Sequence, residues 1–120
     1  MKIAITTQGP TLDSEVDPRF GRAAGFILYD TETDKWSHHD NAQNLNAPQG
    51  AGIQAGQNVA DLGAQWVLTG HCGPKAFRVL TANGIKIGNG ATGAVADVVK
   101  QFNEGGFTAA ADADVEGHWA

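Results

Sequence analysis

Hydrophobic residues along this chain fall into short runs and helical stripes, separated by segments rich in glycine, proline and amides. Five runs have the length and the flanking turn residues of β-strands: 2–7, 25–30, 36–40, 66–69 and 85–87. The pair Asp34-Lys35 predicts a turn that joins the second and third of these strands as a hairpin. The sequence therefore predicts a β-meander at its start.

Three further stretches place apolar residues at helical spacing. The first carries Ile53, Gly56, Val59 and Ala60 and ends at Gly63. The second begins at Pro74, a residue favoured in the first helical turn, and the third carries the stripe Val95, Val98, Val99 and Phe102. The order β-β-β-α-β-α-β-α predicts one α/β domain over residues 1–105, with parallel strands in its second half and a loosely held tail at 106–120.

Length and composition agree with this prediction. The chain has 120 residues, of which 42% are hydrophobic and 18% charged, as expected for one globular domain. Its single cysteine excludes an internal disulfide. The first residues lack a long apolar run, so we expect a cytoplasmic protein without a membrane span.

Charge is unevenly distributed along the chain. The formal net charge of −5 disfavours binding to nucleic acid or anionic lipid. Between Leu62 and Ala96 there is no carboxylate, although Lys75, Arg78 and Lys86 lie there. This acid-free middle would suit an anion, or it reflects buried elements that simply carry few charges; the sequence leaves both interpretations open.

Two segments follow predicted parallel strands and precede helices, which is where ligands bind in open α/β sheets. Backbone N–H groups at a helix start attract anions. The first segment supplies these candidate binding residues: Gly70, His71, Cys72, Gly73, Lys75, Phe77 and Arg78. His71 and Cys72 are also candidate metal ligands; the alternative, which the sequence favours, is a buried thiol and a histidine that caps a strand end.

The second segment, Gly88 to Gly93, matches the pattern G-x-G-x-x-G of dinucleotide-binding turns. That fingerprint requires a following strand that ends in an acidic residue, and here the chain enters its last predicted helix. A general anion-binding turn is the alternative. Its candidate binding residues are Gly88, Asn89, Gly90 and Thr92.

A third candidate segment lies in the long loop after the first strand. It comprises Arg19, Phe20, Gly21 and Arg22. Guanidinium groups are planar and weakly hydrated, so two of them beside an aromatic ring suit a bulky anion. In the alternative interpretation the loop is solvated and Arg19 pairs with Asp17 or Glu15.

No pattern for acid–base or nucleophilic catalysis is found in these three loops. They contain no paired carboxylates, and no Ser-His-Asp or Cys-His-Asp arrangement emerges. His38 and His39 are adjacent on a predicted strand and point to opposite faces, and His118 lies in the tail. We therefore predict that the protein is not an enzyme.

Several motifs, taken together in their order, resemble the dinitrogenase iron–molybdenum cofactor biosynthesis family. They are Met1–Ile5, Val16–Ala23, Phe26–Asp30, Gly50–Ala55, Thr69–Phe77 and Gly84–Ile87. The resemblance covers about residues 1–105. It implies a ribonuclease H-like fold, with a mixed five-stranded sheet flanked by helices.

The resemblance also implies a cargo. It is strongest to members from anaerobic sulfate reducers, which implies a molybdenum–copper sulfide cluster held mainly without covalent protein–metal bonds. Nitrogenase-linked relatives often have a histidine before the Phe-Gly pair that corresponds to Phe20-Gly21, and this chain has Arg19 at that position. That departure weakens the link to the nitrogenase cofactor itself and suits a discrete thiomolybdate-type anion.

These observations predict a carrier that holds the cluster in a cleft between the three loops, for storage, delivery or signalling. Phe20 and Phe77 would supply apolar walls, and Arg19, Arg22, Lys75 and Arg78 would supply donors. Partner proteins, ATPases among them, are expected. The alternatives are a nucleotide-binding domain that uses the Gly88–Gly93 turn and a regulatory interaction module without a cofactor.

Overall fold

The computed structural model describes residues 1–41 and 50–112. In this part of the chain five strands form one sheet in the order β3-β2-β1-β4-β5. Their bounds are β1 Lys2–Thr7, β2 Gly25–Asp30, β3 Trp36–Asp40, β4 Trp66–Leu68 and β5 Lys86–Gly88. Strand β2 is antiparallel to both neighbours, whereas β1, β4 and β5 are parallel. The mixed five-stranded sheet is confirmed; the ribonuclease H-like relationship stays a prediction.

Among the described residues, three helices connect and follow the later strands: α1 Ala51–Asp61, α2 Pro74–Ala82 and α3 Val95–Asn103. The predicted element order is confirmed. Helix α1 begins two residues before Ile53, and the small residues Ala51 and Gly52 are buried in its first turn. Gly63, in the left-handed region at φ 82°, follows the end of α1, as predicted.

The alternation of side chains along β1 divides the core into two halves. Ala4 faces a cluster with α1 and α2, which contains Val59, Ala76 and Leu80. Ile3 and Ile5 face the opposite cluster, in which Val95, Val98 and Val99 from α3 cover the sheet. The helices therefore lie on both faces of the sheet, with α1 and α2 together on one side.

The direction of the strands brings several loops to one edge of the sheet. Because β2 alone runs the opposite way, the carboxyl ends of β1, β3, β4 and β5 lie at the same edge. The loops after β1, β4 and β5, which contain the three candidate segments, therefore all leave the sheet there. We call this edge the carboxyl edge.

The segment after α3 returns to the sheet. Phe107 packs against the α3-side cluster, and the Ala110 N–H donates to the Ile87 carbonyl at 2.8 Å. A domain boundary at 105/106 stays a prediction, and His118 lies outside the described residues. In the described ranges, no helix has the length and apolar character that a membrane crossing requires.

Candidate functional site

Backbone hydrogen bonds join the three candidate loops at the carboxyl edge. The His71 N–H donates to the Pro18 carbonyl at 2.7 Å, and the Phe20 N–H donates to the His71 carbonyl at 3.1 Å. The loop after β4 also bonds to the loop after β5, since the Gly90 N–H donates to the Gly70 carbonyl at 3.0 Å. The loop after β4 thus lies between the arginine loop and the loop after β5.

Gly70 permits the close contact between the first two loops. A Cβ atom at this position would lie 2.6 Å from the Pro18 carbonyl oxygen and 2.8 Å from the Pro18 Cα. These are backbone atoms and cannot rotate away, so a side chain at residue 70 would push the loops apart. The role of Gly70 is therefore structural, as the spacer that lets the two loops touch.

The arginine loop, residues 17–24, is organised by the side chain of Asp17. Its Oδ1 accepts from the Arg19 N–H at 3.1 Å, and its Oδ2 accepts from the Ala24 N–H at 3.2 Å. The Thr6 hydroxyl donates to the Asp17 carbonyl at 2.6 Å and so ties the loop to β1. The buried Asp17 carboxylate thus serves the backbone at both ends of the loop.

The cationic side chains of the candidate segments lie at the surface. Arg19, Lys75 and Arg78 are exposed, and Arg22 is half-buried. Within residues 1–41 and 50–112, no carboxylate lies within 4.0 Å of the charged groups of Arg19, Lys75 or Arg78. The alternative in which Arg19 pairs with Asp17 or Glu15 is therefore not seen, and these cations keep their attraction for an external anion.

The structure places several other predicted site residues in the interior. Phe20 is fully buried, with its ring centroid 5.5 Å from that of Phe26, and so belongs to the core. Cys72 is fully buried too, and its Sγ lies 3.7 Å from the Gly73 carbonyl oxygen. In this conformation neither Phe20 nor Cys72 presents its side chain at the loop surface. Gly21, Gly70 and Gly73 are also buried.

His71 and Phe77 have intermediate positions. Both are half-buried, and Phe77 packs against the core cluster on the α1 and α2 side. Phe77 therefore shows only part of its ring to solvent. In the described ranges, no three His, Cys, Asp or Glu side chains come together in a way that could hold a metal ion.

The Gly88–Gly93 turn has the local strand–turn–helix arrangement of a dinucleotide site, but the start of its helix is covered. The Val95 N–H donates to the Ser14 carbonyl and the Ala96 N–H to the Leu12 carbonyl, both at 2.9 Å. The backbone donors that would hold a pyrophosphate are therefore already used. Strand β5 also lies at the end of the sheet, so the following strand that the fingerprint requires is not present among the described residues.

The glycines of this turn have structural roles of their own. A Cβ at Gly88 would lie 2.8 Å from Leu68 Cδ2 and 3.0 Å from Phe107 Cδ1. Because glycine has no Cβ, Phe107 can pack against the α3-side cluster at this point. Gly90 has φ 80°. Asn89 Oδ1 is buried and accepts no hydrogen bond from the described residues, and Thr92 is exposed. An unpaired acceptor offers nothing to an anion, so this loop is the weakest of the three.

The helix starts at the carboxyl edge differ in their electrostatics. Helix α2 begins at Pro74 with Gly73 as its N-cap, has no side-chain capping bond, and has no acidic residue in its first turn. Helix α3 carries Asp97 in its first turn. The positive end of the α2 dipole is therefore not offset by an acid of its own, and Lys75 adds to it.

Sequence reasoning missed Asn41 as a residue that organises the site. Its side chain is fully buried, and its amide Nδ2 donates to the carbonyls of Gly21 at 3.3 Å and Ala23 at 2.9 Å. Asn41 follows β3 and contacts a loop about 20 residues earlier, so no local pattern reveals the contact. Asp17-Pro18 does carry a local signal, since Asp before Pro favours a turn.

Two surface hollows that are lined by residues of the described ranges lie away from the candidate loops. One, of about 380 Å³, is lined by Lys2, Leu28, Asp30, Thr33, Lys35, Trp36 and Ser37. The other, of about 250 Å³, is lined by Phe26, His39, Asp40, Asn58, Asp61 and Leu62. None of the predicted site residues lines either hollow. His39 bonds to the Ser37 hydroxyl at 2.8 Å, which accounts for that histidine within its own strand.

Comparison with known proteins gives consistent matches over most of the chain. The model of the family described as dinitrogenase iron-molybdenum cofactor matches residues 1–105. The structure is similar to the apo form of the orange protein from Desulfovibrio gigas, with 44% identity, coverage of 95% of this chain and 96% of that one, and a TM-score of 0.93. It is also similar to a putative NifB protein from Thermotoga, with 30% identity, 90% and 91% coverage, and a TM-score of 0.79. An uncharacterised protein of Methanocaldococcus jannaschii is 27% identical over 107 residues, which are 88% of this chain and 87% of that protein.

Proposed function

This chain belongs to the dinitrogenase iron–molybdenum cofactor family, and we propose that it binds an anionic molybdenum–copper sulfide cluster without covalent bonds and is not an enzyme. One observation carries the proposal. Arg19, Lys75 and Arg78 are exposed and without carboxylate partners in the described part of the chain, and they lie on segments that are hydrogen-bonded together beside the start of α2. The similarity to the orange protein supports the choice of cargo.

The proposed cargo matches the chemistry of these side chains. A sulfide-rich cluster is large and polarizable and has a low charge density, so it has less to gain from a tight ring of hard ligands. Guanidinium groups are weakly hydrated and give up water at small cost. A helix start whose dipole is not offset adds further attraction for an anion. Arg19, Lys75, Arg78 and the half-buried Arg22 would surround the cluster, and the exposed part of Phe77 would contact it.

The distribution of charge favours one half of the carboxyl edge. Lys75 and Arg78 belong to α2 and so lie on the side of the sheet that α1 and α2 cover. Glu15 is bridged to Ala94 beside the start of α3, and Asp97 is in the first turn of that helix. An anion is therefore repelled from the α3 side. This narrows the site from a cleft among three loops to the surface formed by the arginine loop and the His71–Arg78 segment.

Direct metal ligation has a minor place in this proposal. The Cys72 thiol is the softest ligand near the site and would suit copper, but it is fully buried. His71 is half-buried and already engaged in contacts. Electrostatic attraction and shape complementarity therefore have to provide most of the affinity for the cluster.

Charge reversal tests the proposal. Arg19→Glu combined with Lys75→Glu should weaken binding of tetrathiomolybdate with copper(I) by at least about tenfold, since each unit charge about 6 Å from the anion is worth about 0.7 kcal/mol in water. The matched control is Lys2→Glu combined with Lys35→Glu, which makes the same change in net charge at the opposite edge of the sheet. Binding is measured anaerobically from the visible absorption of the complex, and its stoichiometry by elemental analysis.

The outcomes separate the site from a general charge effect. The proposal requires a large loss for the pair at the carboxyl edge and little loss for the control pair. Equal losses would mean that only the net charge matters. If the unaltered protein takes up neither molybdenum nor copper, the proposed function is wrong.

A further inference from the structure

We propose that Asn41 is the positioning residue for Arg22, an inference that rests on the proposed function. The amide Nδ2 of Asn41 donates to the carbonyls of Gly21 and Ala23, which are the two residues on either side of Arg22. The Asn41 backbone N–H also donates to the Ala24 carbonyl at 3.0 Å. A single buried amide thus holds the backbone from which the Arg22 side chain projects.

The two arginines of the loop are held by different groups. The Arg19 backbone is held by the Asp17 carboxylate and lies beside His71, to which its segment is paired. In the stretch from Gly21 to Ala23, the backbone bond between the Ala23 N–H and the Phe20 carbonyl is long, at 3.4 Å. The hydrogen bonds from Asn41 therefore constrain the residues on either side of Arg22, while Asp17 binds the backbone at Arg19 and at Ala24.

Burial makes the Asn41 contact effective. Asn41 is 0% exposed, and Gly21 and Ala23 are buried too, so water cannot easily replace the amide. A side chain that is fixed before binding loses less conformational freedom when the ligand arrives. Arg22 is half-buried and engaged in a contact of its own, and the loop backbone sets the point from which its guanidinium extends. Loss of the Asn41 amide should therefore reduce what Arg22 contributes to binding.

A double-mutant cycle tests this link. Asn41→Ala is made in the unaltered chain, in an Arg22→Ala background and in an Arg19→Ala background, and binding of tetrathiomolybdate with copper(I) is measured in each. By analogy with outer-shell hydrogen-bond partners of metal sites, we expect about a tenfold loss of affinity in the first and third cases. In the Arg22→Ala background we expect a loss of less than about twofold, because the positioned group is absent.

The melting temperature provides the readout for a purely structural role. Asn41→Ala should lower it by a similar amount in all three backgrounds, because the carbonyls of Gly21 and Ala23 lose their donor in each. Asn41→Ser, which retains one hydroxyl donor, should recover part of the affinity, and it replaces Asn41→Ala in the cycle if that variant does not fold. Asn58→Ala, on the surface of α1, is the matched control and should leave affinity unchanged.

An equal loss of affinity in the Arg22→Ala background, or no loss in the unaltered chain, would overturn the role of Asn41. A loss that disappears only in the Arg19→Ala background would assign Asn41 to the other arginine and also overturn it. Absence of any binding by the unaltered chain would instead refute the proposed function. The two failures are therefore distinguishable.

Discussion

Gly70→Ala should destabilise the protein by forcing apart the two loops that form the proposed site. The new Cβ would lie 2.6 Å from the Pro18 carbonyl oxygen, whereas ordinary contact begins at 3.4 Å, so the loops must separate by about 0.8 Å. Gly70 lies outside the left-handed region, so backbone strain adds nothing to this cost. Inserting a methyl group into such a packed contact costs about 1–3 kcal/mol.

That free energy converts into a measurable shift. An unfolding entropy of about 2.1 cal/mol/K per residue gives about 0.25 kcal/mol/K for 120 residues, so a loss of about 2 kcal/mol lowers the melting temperature by about 8 °C. Calorimetry or circular dichroism measures the shift. The same displacement moves Arg19 away from the start of α2, so affinity for tetrathiomolybdate with copper(I) should fall as well.

The control for this prediction is Gly63→Ala. Gly63 has φ 82° and no atom within 4 Å of a Cβ, so alanine there is strained by about 1–2 kcal/mol without touching another loop. That variant should lose stability but bind the cluster normally. A Gly70→Ala protein that melts within about 2 °C of the unaltered chain would show that the loops yield freely, and the reasoning about close contact would be wrong.

Two further predictions concern residues other than the arginines and lysine of the proposed site. Tyr29 is the only tyrosine, and its O–H donates to Asp34 Oδ1 at 2.6 Å; this hydrogen bond, followed by burial, raises the pKa of Tyr29 above 10.0. This hydrogen bond stabilises the fold fully below the pKa of Tyr29 in the unfolded chain, and the stabilisation is lost as pH rises through the higher pKa of the folded protein. Asp34→Asn should therefore lower the pKa of Tyr29 measured by ultraviolet titration. An unchanged titration curve would exclude the Asp34 contact. Phe20→Leu should lower the melting temperature, because the ring packs on Phe26 in the core, yet leave the affinity of the folded protein for the cluster within about twofold. A tenfold loss of affinity at unchanged stability would instead restore Phe20 as a wall of the site.

The fold was predictable because its signals are local. The run of Gly25–Asp30 and the turn at Asp34 define the hairpin without help from distant residues, and Asp34 adopts φ 59° there. The stripe Val95, Val98 and Val99 predicted the buried face of α3 in the same way. Only element ends shifted, as where α1 gained Ala51 and Gly52.

The candidate site was less predictable because burial in loops is decided by tertiary contacts. Phe20 and Cys72 lie in loop motifs, and from the sequence both were predicted to contact a ligand, but both side chains are buried in the core. The Gly88–Gly93 turn matches the dinucleotide-binding pattern, but the start of its helix is covered by Leu12–Ser14, a segment more than 80 residues earlier in the chain. Such long-range contacts leave no periodic signal in a single sequence.

We expect the carboxyl edge of this negatively charged protein to accept an anion, because several of its carboxylates lie far from the proposed site. The carboxylates of the β2–β3 turn, Asp30, Glu32 and Asp34, lie at the opposite edge, and a six-residue strand such as β1 separates the two edges by about 20 Å. The Debye length at physiological salt is about 8 Å, so these three acids have little effect on the potential at the proposed site beside Arg19 and Lys75. The net charge of −5 still disfavours anions that depend on long-range attraction alone. A strongly hydrated anion such as phosphate would lose more water than these exposed cations repay, whereas a soft sulfide cluster loses less and also gains from contact with Phe77. The expected selectivity for thiomolybdate over phosphate therefore arises from hydration as well as from charge.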